Sequence, residues 1–106
     1  MKRKVILSKI ASQKLDDLFE YLQTNWSFAA KVSFIDKLDK RLEQIDKYPD
    51  SFPKSGLVKG LHKCVLTKQT SIYYQFDNKA INIVTLFFSK QNPNSLRKEV
   101  EENTKM

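Results

Sequence analysis

The chain has 106 residues, 41% of them hydrophobic, and a formal net charge of +7. That is the size of one domain, long enough to bury a core without disulfides or a structural metal, and the single cysteine excludes an internal disulfide and fits a reducing compartment. The basic start, MKRKVILSKIAS, holds only three consecutive apolar residues, Val5–Leu7, too few for a signal peptide or for the roughly 20 of a membrane span, so a soluble cytoplasmic protein is expected.

Lys2–Lys9 reads as a short strand, because its centre, Val5-Ile6-Leu7, is apolar and rich in β-branched residues. A first helix follows from about Ser8 or Ile10 to Asn25, with Ser8 as N-cap. Leu15, Leu18, Leu22 and Trp26 recur at helical spacing with Phe19 beside them. Thr24–Ser27 breaks this helix, and Ser27 can cap a second one running to about Lys47. Its expected apolar stripe is Phe28, Val32, Ile35, Leu38, Leu42 and Ile45, and Asp36–Lys40 and Glu43–Lys47 have the spacing and order of helical ion pairs. So short a connection forces an antiparallel helical hairpin. Tyr48-Pro49 ends the second helix. The stretch to Gly60 holds two of the three prolines and both glycines, and reads as a loop pinned by Phe52 and Leu57.

Three strands come next. Leu61–Lys68 is the first, and Ser71–Phe76 and Ala80–Phe88 form a hairpin through Asp77-Asn78-Lys79, residues that tolerate the positive φ of tight turns. In Ser71–Phe76, Ile72, Tyr74 and Phe76 share one face, while Ser71, Tyr73 and Gln75 take the other. In the last strand Ala80, Val84, Leu86 and Phe88 are expected one way and Ile81, Ile83 and Phe87 the other, so this strand is apolar on both faces and belongs inside the sheet. Ser89–Pro93 is an exit loop. The segment from Asn94, anchored only by Leu96 and Val100, reads as a short loose helix or a disordered tail. The fold class is therefore α+β: a helical hairpin covering one face of a small, largely antiparallel sheet, with residues 1–96 as the domain and 97–106 as a polar tail.

Charge segregates along this plan. Residues 15–50 carry five bases against eight acids, whereas residues 51–93 carry six bases against one acid. An acidic helical layer beside a basic sheet suits a polyanion or an acidic protein partner. His62 and Cys64 share a strand face, but no acid nearby would orient the imidazole, so Cys64 reads as a buried structural residue. One His and one Cys cannot supply a metal site, and with Gly56 and Gly60 as the only glycines there is no phosphate-binding loop; no metal or cofactor is expected. What remains is basic and aromatic: Lys59, His62, Lys63, Lys68, Tyr73, Tyr74 and Lys90, on or near the last three strands. Tyr74 reads as core from its face partners; Tyr73 is open to either a core or a contact role.

Three stretches taken in order resemble the RelE/ParE superfamily of bacterial type II toxins. They are a helical hairpin with small residues at Ala11 and Ala29-Ala30, the run Ser71-Ile72-Tyr73-Tyr74, and the ending Leu86-Phe87-Phe88-Ser89-Lys90-Gln91-Asn92-Pro93. The resemblance implies a toxin that stops growth when free and is silenced by a cognate antitoxin, as a homodimer or a toxin–antitoxin hetero-oligomer. RelE-like members cut messenger RNA in the ribosomal A site with basic residues and a Tyr or His. ParE-like members poison DNA gyrase. Here the third-strand arginine of the nuclease pattern falls at Ser71, the last-strand arginine at Lys90, and the arginine near Gly60 at His62, with Lys63 beside it. Lysine keeps the charge without the bidentate fork and serine keeps neither, which weakens stabilisation of a pentacoordinate phosphate. The resemblance thus implies a ParE-like toxin that binds gyrase. Its alternative is a ribosome-dependent endoribonuclease using His62, Lys63, Lys68, Tyr73 and Lys90.

Overall fold

The computed structural model describes residues 2–104. Strand β1 (Lys4–Leu7) leads into α1 (Lys9–Asn25) and α2 (Phe28–Lys47). A 3-10 turn (Pro49–Ser51) and a loop follow, then β2 (His62–Val65), β3 (Thr70–Phe76), β4 (Ala80–Phe88) and α3 (Pro93–Asn103). The four strands form one sheet in the order β1-β4-β3-β2. β1 runs parallel to β4, and the other two pairings are antiparallel.

Both helices of the hairpin start at a serine. The Ser8 hydroxyl accepts from the Ala11 amide at 3.0 Å and donates to the Val84 carbonyl at 2.6 Å, while the Ser8 amide donates to the Ile83 carbonyl at 3.0 Å. One residue thus caps α1 and fastens its start to β4. Ser27 accepts from the Ala30 amide at 3.0 Å and does the same for α2, on the surface. The β3–β4 hairpin forms where expected but by another device. Among the described residues no non-glycine residue has positive φ. Instead the Asp77 carboxylate accepts from the amides of Lys79 (2.7 Å) and Ala80 (2.8 Å), so a side chain closes the turn.

The helical hairpin covers one sheet face. Ala11 and Leu15 of α1 and Phe34, Leu38, Leu42 and Ile45 of α2 pack on Cys64, Ile72, Tyr74, Ile81, Ile83 and Leu86. The stripe of α2 differs from the expected one at its start. Phe34 is buried, whereas Phe28 and Val32 are 64% and 40% exposed, and Trp26 at the end of α1 is 72% exposed. The hairpin tip carries the same periodicity with no sheet beneath it. Neither Asp36–Lys40 nor Glu43–Lys47 closes to ion-pairing distance among the described residues. Both pairs are solvated, where holding two long side chains offsets the Coulomb gain.

The faces of β4 also differ from simple alternation. Tyr73 pairs with Thr85 but Tyr74 pairs with Ile83, so Val84 is an extra residue, a β-bulge. The bulge shifts the phase. Ile81 and Ile83 before it and Leu86 after it all face the helical hairpin, while Val84 and Phe87 turn to the other side. There they meet Leu61, Tyr73, Leu96 and Val100, a second core under α3, with Leu57 packed against it. Phe52 of the same loop joins the first core instead.

The segment from Asn94 is therefore an ordered helix through Asn103, seated on the second face. Lys14 of α1 holds it. The Lys14 ammonium donates to the Leu86 carbonyl (2.7 Å), Gln91 Oε1 (3.0 Å) and Glu99 Oε1 (2.5 Å). Glu99 Oε1 also accepts from Thr85 Oγ1 at 2.9 Å, and its Oε2 accepts from Gln91 Nε2 at 2.8 Å. The side chains of Lys14 and Glu99 are only 15% and 14% exposed, so each charge depends on the other. The ending Gln91-Asn92-Pro93 thereby acquires physical roles. Gln91 joins the knot, Asn92 caps α3 by accepting from the Asn94 amide at 2.9 Å, and Pro93 occupies its first turn.

Candidate functional site

The five residues singled out for phosphate chemistry do not lie together. His62 and Lys63 are neighbours on β2 and therefore face opposite ways. His62 is 3% exposed on the helical-hairpin side. Its ring stacks on Tyr74 with centroids 5.3 Å apart and packs against Phe76 at 5.5 Å. Its Nδ1 lies 2.9 Å from the Phe52 carbonyl, which can only accept, so Nδ1 carries the proton and donates. Tyr74 is fully buried and its hydroxyl donates to the Pro49 carbonyl at 2.8 Å. Burial, then the nearby Cys64 and Asp50, push its phenol pKa far above the usual range. The Arg3 guanidinium closes this aromatic column over Phe76, 5.7 Å from the ring centre.

Lys63 is exposed on the opposite face, directly across the strand pair from Tyr73. Tyr73 is 4% exposed beneath α3, and burial raises its phenol pKa. Lys68 and Lys90 are exposed in the turns after β2 and β4. Those turns meet at one end of the sheet, where the Ser89 amide donates to the Gln69 carbonyl at 2.8 Å. So Lys63 with Tyr73, and Lys68 with Lys90, form two separate groups, and His62 belongs to neither. Cys64 is fully buried, and desolvation pushes its thiol up to about 11 against the opposing charge of Arg41. Among the described residues no group of three or more His, Cys, Asp or Glu side chains could hold a metal ion, and no helix is long and apolar enough to cross a membrane.

A cluster of exposed large apolar side chains lies elsewhere. Trp26 (72%) and Phe28 (64%) flank the Ser27 cap at the tip of the helical hairpin, and Tyr21 and Val32 are exposed on the adjoining turns of α1 and α2. Helical periodicity assigns Trp26, Phe28 and Val32 to the core stripe, so reading the stripe alone misses them. The available signal is that two of them sit on either side of a helix break, where two diverging helices cannot both bury them. Exposed aromatic clusters of this kind mark protein contact surfaces.

A family model described as "ParE toxin of type II toxin-antitoxin system, parDE" matches residues 5–93. The chain belongs to the ParE toxin family. The match takes in all four strands and the helical hairpin and ends at the first residue of α3. Similar solved structures share this fold. A chain of the chromosomal ParDE toxin–antitoxin system from P. aeruginosa superposes with a TM-score of 0.65 at 11% identity, covering 82% of this chain and 96% of that one. The YoeB dimer from Staphylococcus aureus gives 0.60 at 17% identity, covering 83% and 98%, and the YoeB–YefM complex from the same organism gives 0.55 at 17% identity, with the same coverage. No curated protein matches the ParE-family chain significantly in sequence.

Proposed function

We propose that this ParE-family toxin arrests growth by binding a protein target, DNA gyrase, rather than by cutting RNA, and that an acidic cognate antitoxin neutralises it in the cytoplasm. The observation that carries this reading is the dispersal of the candidate nuclease residues. His62 and Tyr73 are buried on opposite faces of the sheet, and the lysines fall into two exposed groups. A nuclease needs a base and preorganised cations around one phosphate. A binding toxin needs an exposed anchor surface, and Trp26, Phe28 and Tyr21 offer one. The antitoxin lies along the helical hairpin and the sheet edge, where apolar and basic surfaces are exposed.

A supercoiling assay with purified gyrase tests the target. Inhibition is expected, and it should weaken in the Trp26→Ala/Phe28→Ala double variant. Unaltered supercoiling at excess toxin, with no trapped cleavage complex, refutes it. The second reading, a RelE-like ribosome-dependent endoribonuclease, draws on the Lys63–Tyr73 cross-strand pair and on the adjacency of the Lys68 and Lys90 turns. It predicts codon-linked cuts in a translation extract that disappear in Lys63→Ala or Lys90→Ala. Intact messenger RNA in that extract excludes it.

A further inference from the structure

Lys37, Lys40 and Arg41 of α2 line a cleft of about 290 Å³ together with Gln44 and Leu66, the residue that follows β2. Three cations thus crowd one helix face, and among the described residues none has a carboxylate within ion-pairing distance. Arg41 has only a neutral partner, Gln44 Oε1 at 2.8 Å. Of the four acids of α2, Asp46 is held by Arg3 and by the Lys2 and Arg3 amides, Glu43 lines a different cleft with Lys2 and Tyr48, and Asp36 and Asp39 are exposed and, among the described residues, pair with none of the three cations. Like charges at i,i+4, as in Lys37 and Arg41, repel weakly, so a negative group placed in the cleft would offset that repulsion.

The cleft adjoins an open sheet edge. β2 is the last strand of the sheet. Its outward-pointing Lys63 amide is taken by the Pro53 carbonyl at 2.9 Å, and the Lys54–His62 bridge covers that end. By strand alternation the next outward-pointing backbone groups are those of Val65. Among the described residues their one hydrogen-bond contact is a long one, 4.0 Å, from the Cys64 thiol to the Val65 carbonyl, and the Val65 side chain is 52% exposed. Lys37, Lys40 and Arg41 therefore stand beside an unpaired stretch of edge with an apolar floor at Leu66.

We infer that this cleft is a docking site for an extended acidic segment of a protein partner, which adds backbone hydrogen bonds at Val65 and places its carboxylates against Lys37, Lys40 and Arg41. The inference deepens the reading of an acidic partner given above, on which it rests, by assigning it a subsite. Charge alone would suit a nucleic acid equally. The open amide edge and exposed Val65 favour a peptide, because a phosphodiester chain uses neither.

Binding of a labelled peptide of four alternating Val-Glu repeats to the full chain tests this, with a poly-uridine 8-mer as competitor. Saturable binding that weakens with salt is expected, with amide resonances of Val65 and Leu66 shifting and no competition from the oligonucleotide. The Lys37→Glu/Arg41→Glu double variant removes two attractions and adds two repulsions, so affinity falls about tenfold. Val65→Pro removes the edge N–H and should weaken binding separately. Lys37→Glu/Lys40→Glu, at two exposed positions, serves if the first double variant is not folded by circular dichroism. Binding that is unchanged in all the folded variants overturns the subsite and leaves the acidic-partner reading standing. No binding to any part of the chain overturns both. Displacement by the oligonucleotide from the same residues assigns the cleft to nucleic acid and overturns the peptide proposal.

Discussion

Ser8→Ala is the substitution that probes most of this fold with one atom. The Ser8 hydroxyl caps α1 through the Ala11 amide and donates to the carbonyl of the bulged Val84. Losing an N-cap costs about 1 kcal/mol, and leaving a part-buried carbonyl without its donor costs about 1 kcal/mol more. The expected loss is about 2 kcal/mol, which for a domain of this size lowers the thermal midpoint by roughly 8–16 °C. Ser27→Ala is the control. Ser27 makes the same cap on the surface with no bond to the sheet, so it should lose only the cap contribution, about 1 kcal/mol. Urea unfolding of the two variants against the parent reads the difference directly. If Ser8→Ala costs no more than Ser27→Ala, the bond to the bulge contributes nothing and the account of how α1 is fastened to β4 fails.

Other outcomes follow from the buried polar contacts. Glu99→Ala leaves Lys14 buried with its carboxylate removed and should destabilise by about 3 kcal/mol, whereas Lys14→Met/Glu99→Leu should recover most of that loss in a double-mutant unfolding cycle. The Lys2 amide, with the Arg3 amide and guanidinium, holds the Asp46 carboxyl below its ordinary pKa. Its contribution is therefore complete above about pH 4 and is lost as the pH falls through the depressed value. Asp46→Asn should flatten the acid limb of the stability–pH curve, and an unchanged limb would contradict the assignment. With its thiol pushed up to about 11 and no exposure, Cys64 should resist a thiol reagent at pH 8 in the native protein and react fully in urea. His62→Ala should cost about 3 kcal/mol in urea unfolding, as expected for an aromatic ring removed from a packed stack.

The element order was legible because each element carries its own local signal: serine caps at both helices of the hairpin, a proline after α2, and β-rich runs on either side of Asp77. Three features were not. Alternation along β4 assumes a constant period of two, and nothing in the run Ala80–Phe88 announces that Val84 will be skipped by its partner strand. Periodicity carries the stripe of α2 out to Phe28 and Val32, because it fixes a helix face but not where the underlying sheet ends. The seating of α3 depends on Lys14 meeting Glu99, 85 residues away, a pairing that neither residue's neighbours encode. For the candidate site, face assignment in β3 placed Tyr74 in the core correctly and kept it apart from Tyr73. It could not show that α3 would bury Tyr73 as well.

The parallel pairing of β1 with β4 has a consequence for how the toxin is made. Lys4–Leu7 takes its register from Ala80–Ile83, so β1 has no partner until β4, more than 70 residues later, has been translated. The helical hairpin can form from contacts local in sequence, but the sheet closes only once β4 is available. The sheet edge at β4 is therefore completed by a strand from the far end of the domain, and loss of β1 would leave the backbone groups of Ala80–Ile83 on that edge unpaired.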